Sequence, residues 1–207
     1  MFDFANENGD DAPLCGIDEA GRGPLAGPMA MAGVIITKGI SGLNDSKKLS
    51  EKRREGLFDE IVQSCVFHLV IFDNTEIDRK GLSACLKEGL EDIRDVMAGY
   101  TDRFLFDGRS NYGAYGIATM VKADAKVKEV SAASIVAKVF RDRMMRRYAA
   151  LYRDYGFERN KGYGTRGHLA AIEKHGFTPL HRRSFSISRL VTANSHHDDR
   201  SLFETDQ

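Results

Sequence analysis

The chain has 207 residues, 42% hydrophobic and 29% charged, enough for one globular domain with a sizeable core. No apolar run reaches membrane-spanning length, and the acidic start Met1-Phe2-Asp3-Phe4 lacks a signal peptide's basic flank, so a soluble cytoplasmic protein is expected. Cys15, Cys65 and Cys85 are odd in number and form no Cys-x-x-Cys pair, which argues against a disulfide framework or a cysteine zinc site.

In chain order, residues 1–13 read as a loose polar segment. Residues 14–17 form a short buried strand and 29–37 a second, with Gly27-Pro28 marking the bend between antiparallel neighbours. A loop over 39–49 leads to Ser50, the N-cap of a helix with Leu57, Phe58, Ile61 and Val62 on one face. Residues 66–72 are strand-like. A helix then opens at Thr75, with Asp78 as its capping-box partner, and carries Leu82, Leu86, Leu90, Ile93 and Met97 at helical spacing. Strands over 103–106 and 117–121 end at Asp107-Gly108 and Lys122-Ala123-Asp124. The spacing predicts one long helix over 130–155, with Ile135, Val136, Val139, Phe140, Met144, Tyr148 and Leu151 as its buried stripe. A loop at 161–164 and a short helix over 166–175, closed by Gly176, precede a polar tail over 191–207. About five strands alternating with helices indicate one α/β domain over 14–190.

Net charge is zero, but it is unevenly spread. Residues 122–153 hold nine Lys/Arg against three Asp/Glu, and residues 159–189 hold seven against one. One basic surface on a neutral molecule suits a polyanion; from charge alone, solvated helix faces explain the pattern equally well.

The acids carry the chemistry. Asp18-Glu19, Asp107 and Asp124 each stand at or just past the C-terminal end of a strand, where α/β sheets assemble their sites. Taken singly, Asp107-Gly108 reads better as a turn and Asp124 as a helix-entry residue; three strand ends with acids point to a site. Four converging carboxylates make an all-oxygen site suited to Mg²⁺ or Mn²⁺ and poorly suited to zinc. The loop Gly21-Arg22-Gly23 misses the dinucleotide spacing and no P-loop Lys follows, but it can present backbone to a sugar while Arg22 meets a phosphate. Lys47 and Lys48 before Ser50 are a second phosphate contact or a solvated pair. Tyr163 between glycines could lie against a base or pack on its own domain. The small residues Ser131 to Ser134 fit close packing against the sheet. His168 and His175 have no partner at zinc spacing and read as surface or satisfied core residues, whereas His181-Arg182-Arg183-Ser184 reads as a nucleic-acid contact.

As a set, the stretch from Gly16-Ile17-Asp18-Glu19-Ala20-Gly21-Arg22-Gly23 to Pro28 resembles the signature of the type 2 ribonucleases H, ribonuclease HII. So do Asn44-Asp45-Ser46-Lys47-Lys48-Leu49, Ser131-Ala132-Ala133-Ser134-Ile135-Val136-Ala137-Lys138, Lys161-Gly162-Tyr163 and His181-Arg182-Arg183-Ser184-Phe185. The resemblance spans most of residues 14–186 in family order. It implies a ribonuclease H-like fold with a mixed five-stranded sheet flanked by helices. It also implies a metal-dependent endoribonuclease of ribonucleotide excision repair, cutting the RNA strand of RNA–DNA hybrids and single ribonucleotides embedded in duplex DNA. Asp18, Glu19, Asp107 and Asp124 become its catalytic metal ligands. Gly21, Arg22 and Gly23 read the ribose 2′-hydroxyl, and Tyr163 stacks at the RNA-to-DNA junction. Asn44, Ser46, Lys47, Arg183 and Ser184 become further substrate contacts. A monomer is expected. Residues 109–115 read as a variable loop that does not touch the site. The type 3 family, the rival within this chemistry, lacks an arginine at the position of Arg22 and carries an additional substrate-binding domain. A non-catalytic hybrid binder, the rival from another class, has no use for all four acids.

Overall fold

The computed structural model describes residues 13–43 and 49–185. Five strands, β1 (Leu14–Ala20), β2 (Met29–Ile35), β3 (Val66–Phe72), β4 (Arg103–Asp107) and β5 (Ile117–Met120), form one mixed sheet in the order β3-β2-β1-β4-β5. β1 pairs antiparallel with β2, as expected from the tight bend, and β2 with β3 likewise. β1–β4 and β4–β5 are parallel, so the C-terminal ends of β1, β4 and β5 share one edge of the sheet.

Six helices among the described residues cover the sheet: α1 (Glu51–Ser64), α2 (Asn74–Lys80), α3 (Leu82–Met97), α4 (Lys128–Leu151), α5 (Phe157–Asn160) and α6 (Arg166–His175). β2 is buried on both faces, and its alternation sorts by size. Met29, Met31 and Ile35 pack with Leu86, Leu90 and Ile93 of α3, while Ala32 and Val34 pack with α1 and α4. Small residues on the second face let α4 approach closely. A Cβ at Gly16 would stand 2.2 Å from the backbone nitrogen of Val130, so β1 and the start of α4 meet backbone to backbone. A third cluster, with Met145, Tyr155, Phe157 and Ile172, packs α5 and α6 against the far half of α4.

Several element boundaries differ from expectation, and β1 runs to Ala20, three residues past its expected end, so Asp18 and Glu19 lie within the strand. The helix expected from Thr75 to Met97 is two helices, broken at Gly81, whose φ of 83° leaves the helical region. Its cap is Asp73, not Thr75: the Asp73 carboxylate accepts from the Glu76 backbone N–H at 2.8 Å and the Glu76 side chain accepts from that of Asp73 at 3.2 Å. Asp78 is thereby free to reach another segment. α4 ends at Leu151, which is 74% exposed, because its second half buries the row Arg141, Met145 and Ala149 instead of the expected Met144, Tyr148 and Leu151. α5 has only four residues, bracketed by Gly156 and Lys161 in left-handed conformation, and is too short to show periodicity.

Candidate active site

The register of β1 against β4 pairs Ile17 with Phe106, which sets Asp18 beside Asp107 on the face that α4 covers. Asp124 arrives from a 3₁₀ turn, Ala123–Ala125, directly after β5. One carboxylate oxygen from each of Asp18, Asp107 and Asp124 lies within 4.8 Å of the other two. Like charges so close repel unless a cation or proton intervenes. Burial, then the charges of Glu19 and Asp107, hold Asp18 well above the usual carboxylate range, against the opposing hydrogen bond from Ser134. The Asp107 carboxylate also accepts from the Ala123 backbone N–H at 3.1 Å, tying β4 to the turn that carries Asp124.

Glu19 stands beside this trio, not within it. Strand alternation turns it from Asp18's face, and its Oε1 accepts from Arg22 Nη1 at 3.1 Å. Its Oε2 is buried and has no hydrogen-bond partner. Burial raises its carboxyl above the ordinary value despite Arg22. An orphaned buried carboxylate oxygen beside three clustered aspartates, with no nitrogen or sulfur donor in the set, fits a hard divalent cation.

A cleft of about 500 Å³ opens over Asp18, Glu19 and Asp107, lined also by Gly21, Arg22, Gly23, Arg54, Lys138 and Tyr163. Gly21 has φ 100°, and a Cβ there would strike Arg141 Nε at 2.2 Å. Gly23 is different: a Cβ there would meet only the Tyr163 ring, at 3.8 Å, so the fold itself does not require glycine at that position.

Asn44, Ser46 and Lys47 lie outside the described residues. Arg183 and Ser184 are exposed, but His181 and Arg182, read with them as a nucleic-acid contact, are 1% and 2% exposed. The Arg182 guanidinium donates inward to the carbonyls of Gly21 (2.6 Å), Arg22 (2.9 Å) and Gly27 (2.9 and 3.0 Å). Arg141 does the same for Pro28 (2.8 Å) and Ala26 (3.3 Å). Two buried arginines therefore staple the glycine loop from below, and burial, with Arg141 adding to it, pulls Arg182 down to about 10. Nothing in the sequence separates a buried arginine from its exposed neighbour.

His168 is a satisfied core residue, as expected, and its partner is His181. Thr178 N–H donates to His181 Nδ1 at 2.9 Å, the two Nε2 atoms are 3.1 Å apart, and His168 Nδ1 lies 2.9 Å from the Tyr163 carbonyl. The chain of bonds supports the loop that carries Tyr163. Asp78 accepts from the backbone N–H groups of Arg183 and Ser184 at 2.7 and 3.0 Å, and from the Ser184 hydroxyl at 2.6 Å. Ser134, read as a packing residue, hydrogen-bonds Asp18. Residues 109–115 do reach the proposed site: the Tyr112 hydroxyl accepts from Arg22 Nη2 at 2.8 Å. No pattern in the sequence marks that contact, because it depends on how a loop folds back.

Among the described residues no helix is long and apolar enough to cross a membrane. The family model described as Ribonuclease HII matches residues 15–188. The chain is 53% identical over 178 residues to ribonuclease HII of Sulfurovum sp. (strain NBC37-1), covering 86% of this chain and 94% of that one. It is 54% identical over 177 residues to the Campylobacter hominis enzyme of the same name, covering 86% and 96%. Its fold is similar to ribonuclease HII of Archaeoglobus fulgidus, solved in complex with PCNA, with TM-score 0.72 at 28% identity over 84% of this chain and 96% of that one.

Proposed function

The chain belongs to the ribonuclease HII family, and from that premise we propose a role for each part of the cleft. The reaction is hydrolysis of the RNA strand in RNA–DNA hybrids, including the cut at single ribonucleotides embedded in duplex DNA. Asp18, Asp107 and Asp124, with Glu19, hold a divalent cation, Mg²⁺ or Mn²⁺. When bound there, such a cation neutralises charge at the scissile phosphate and lowers the pKa of a coordinated water. The products are a 5′-phosphate and a 3′-hydroxyl.

Around the acids, the chain binds and orients. Ser134 and the Ala123 N–H fix the carboxylates of Asp18 and Asp107. Arg22 meets a phosphodiester oxygen at the cleft mouth. Gly21 and Gly23 bring backbone close to the ribose, where a 2′-hydroxyl separates RNA from DNA. The Tyr163 ring, 44% exposed beside Gly23, lies against the sugar or base at the junction. Asn44, Ser46, Lys47, Arg183 and Ser184 contact the nucleic-acid backbone. In this reading the enzyme acts as a monomer, and three free thiols suit the cytoplasm.

The trio of aspartate oxygens within 4.8 Å carries this reading. The test is a DNA duplex with one ribonucleotide, incubated with and without divalent metal, and the cut mapped. Asp18→Asn and Asp124→Asn should each lower turnover by about 10²-fold or more while binding persists. Near-native turnover of both at saturating metal would overturn the assignment.

A further inference from the structure

Arg22 is 43% exposed at its side chain, and an exposed arginine ordinarily samples many rotamers. Here two contacts hold it: Nη1 donates to Glu19 and Nη2 donates to the Tyr112 hydroxyl, whose ring centroid lies 5.9 Å from the guanidinium carbon. The two holders differ in kind. Glu19 is an acid with one buried oxygen unpartnered, so it has a second claim on it. Tyr112 is neutral and makes no claim on a cation.

We propose that Tyr112 is a positioning residue for Arg22, holding the guanidinium across the cleft mouth where a substrate phosphate is met. This rests on the cleft being the ribonuclease site. The backbone around Tyr112 is built for that placement. Its φ is 55°, a left-handed conformation unusual for a bulky residue and disfavoured by its Cβ. The Ser110 hydroxyl accepts from the Tyr112 N–H at 3.0 Å. Asn111 Nδ2 donates to the carbonyls of Ala114 and Ile117 at 2.9 and 3.0 Å, and Asn111 Oδ1 accepts from Gly113 N–H at 3.1 Å. The ring packs partly against the core that contains Ile17 and Phe106. Strain maintained by neighbours on both sides, at a residue whose polar tip touches the site, is what a positioning role requires.

The test is a double-mutant cycle read by fluorescence anisotropy in chelator, on a duplex with one embedded ribonucleotide. Tyr112→Phe keeps the ring and removes only the oxygen, so its thermal midpoint should stay with the wild type. It should weaken binding by about tenfold, as loss of a hydrogen bond to a charged group does. Arg22→Ala should weaken it at least as much, and Tyr112→Phe should add nothing in the Arg22→Ala background. With metal present, the same loss should appear in KM, not in kcat. Unchanged binding by Tyr112→Phe, or an equal loss in both backgrounds, would overturn the proposal while wild-type cleavage at the ribonucleotide left the parent reading intact. A wild type that neither prefers nor cuts that duplex would overturn both.

Discussion

Asp18 carries a conflict at the scale of a single side chain. Its carboxylate is 7% exposed and stands beside Glu19 and Asp107, so the metal-free fold holds it above its unfolded value. A carboxyl raised on folding binds more protons folded than unfolded. Stability is therefore lost as pH rises from the ordinary carboxylate range through the raised value, and the full penalty is present above it. Asp18→Asn should raise stability in chelator at neutral pH by about 1–2 kcal/mol, while lowering turnover by about 10²-fold or more. Thermal melts along a pH series check this: the gain should vanish toward acid pH, and no gain at pH 7 would count against a strained site. The aspartates were legible because an acid at a strand end has few other uses when it recurs. Arg182 and Tyr112 were not, because burial and loop closure are properties of the fold and leave no local mark on residue type.

At the scale of elements, the junction of β1 with α4 controls the site, because β1 carries Asp18 and α4 carries Ser134. Gly16→Ala should cost about 3 kcal/mol, since its Cβ would meet backbone at 2.2 and 2.3 Å and not a flexible side chain. Denaturant unfolding measures that loss, and turnover should fall as Ser134 shifts from Asp18. A loss under 1 kcal/mol would mean that the helix yields easily. The strands and their pairing could be read from apolar runs and turn residues. The helices were readable where one face stays buried throughout. α4 departs from that because other elements pack its second half on a different row, and periodicity in one helix cannot report what lies beside it. Gly81 splits α2 from α3 for a similar reason: the apolar spacing continues across the break, and only the backbone turns.

Across the whole molecule, the buried pair His168 and His181 makes stability depend on pH. Burial, then the charge of His168, pushes His181 down to about 4, and Arg183 adds to the effect. Its unfolded value is near 6.5, so the unfolded chain binds the proton first. This contribution is fully present above pH 6.5 and is lost as pH falls toward 4, on the order of 3 kcal/mol in all. Chemical denaturation at pH 7, 6 and 5 should show wild type losing stability faster than His181→Gln. Equal slopes would mean the pair is already open. The mixed sheet with flanking helices was visible in the alternation of strands and helices, whereas the charge distribution alone left a polyanion surface and solvated helix faces equally open, and the tie between these histidines and the Tyr163 loop joins residues that no local pattern connects.

The guanidinium of Arg182 bears on biosynthesis. Its bonds to the carbonyls of Gly21, Arg22 and Gly27 span about 155 to 161 positions. During translation the glycine loop is made early and then waits for a side chain that emerges from the ribosome much later. Prematurely terminated chains lacking that arginine leave the loop beside Asp18 and Glu19 without its anchor, so the cleft is completed only near the end of synthesis.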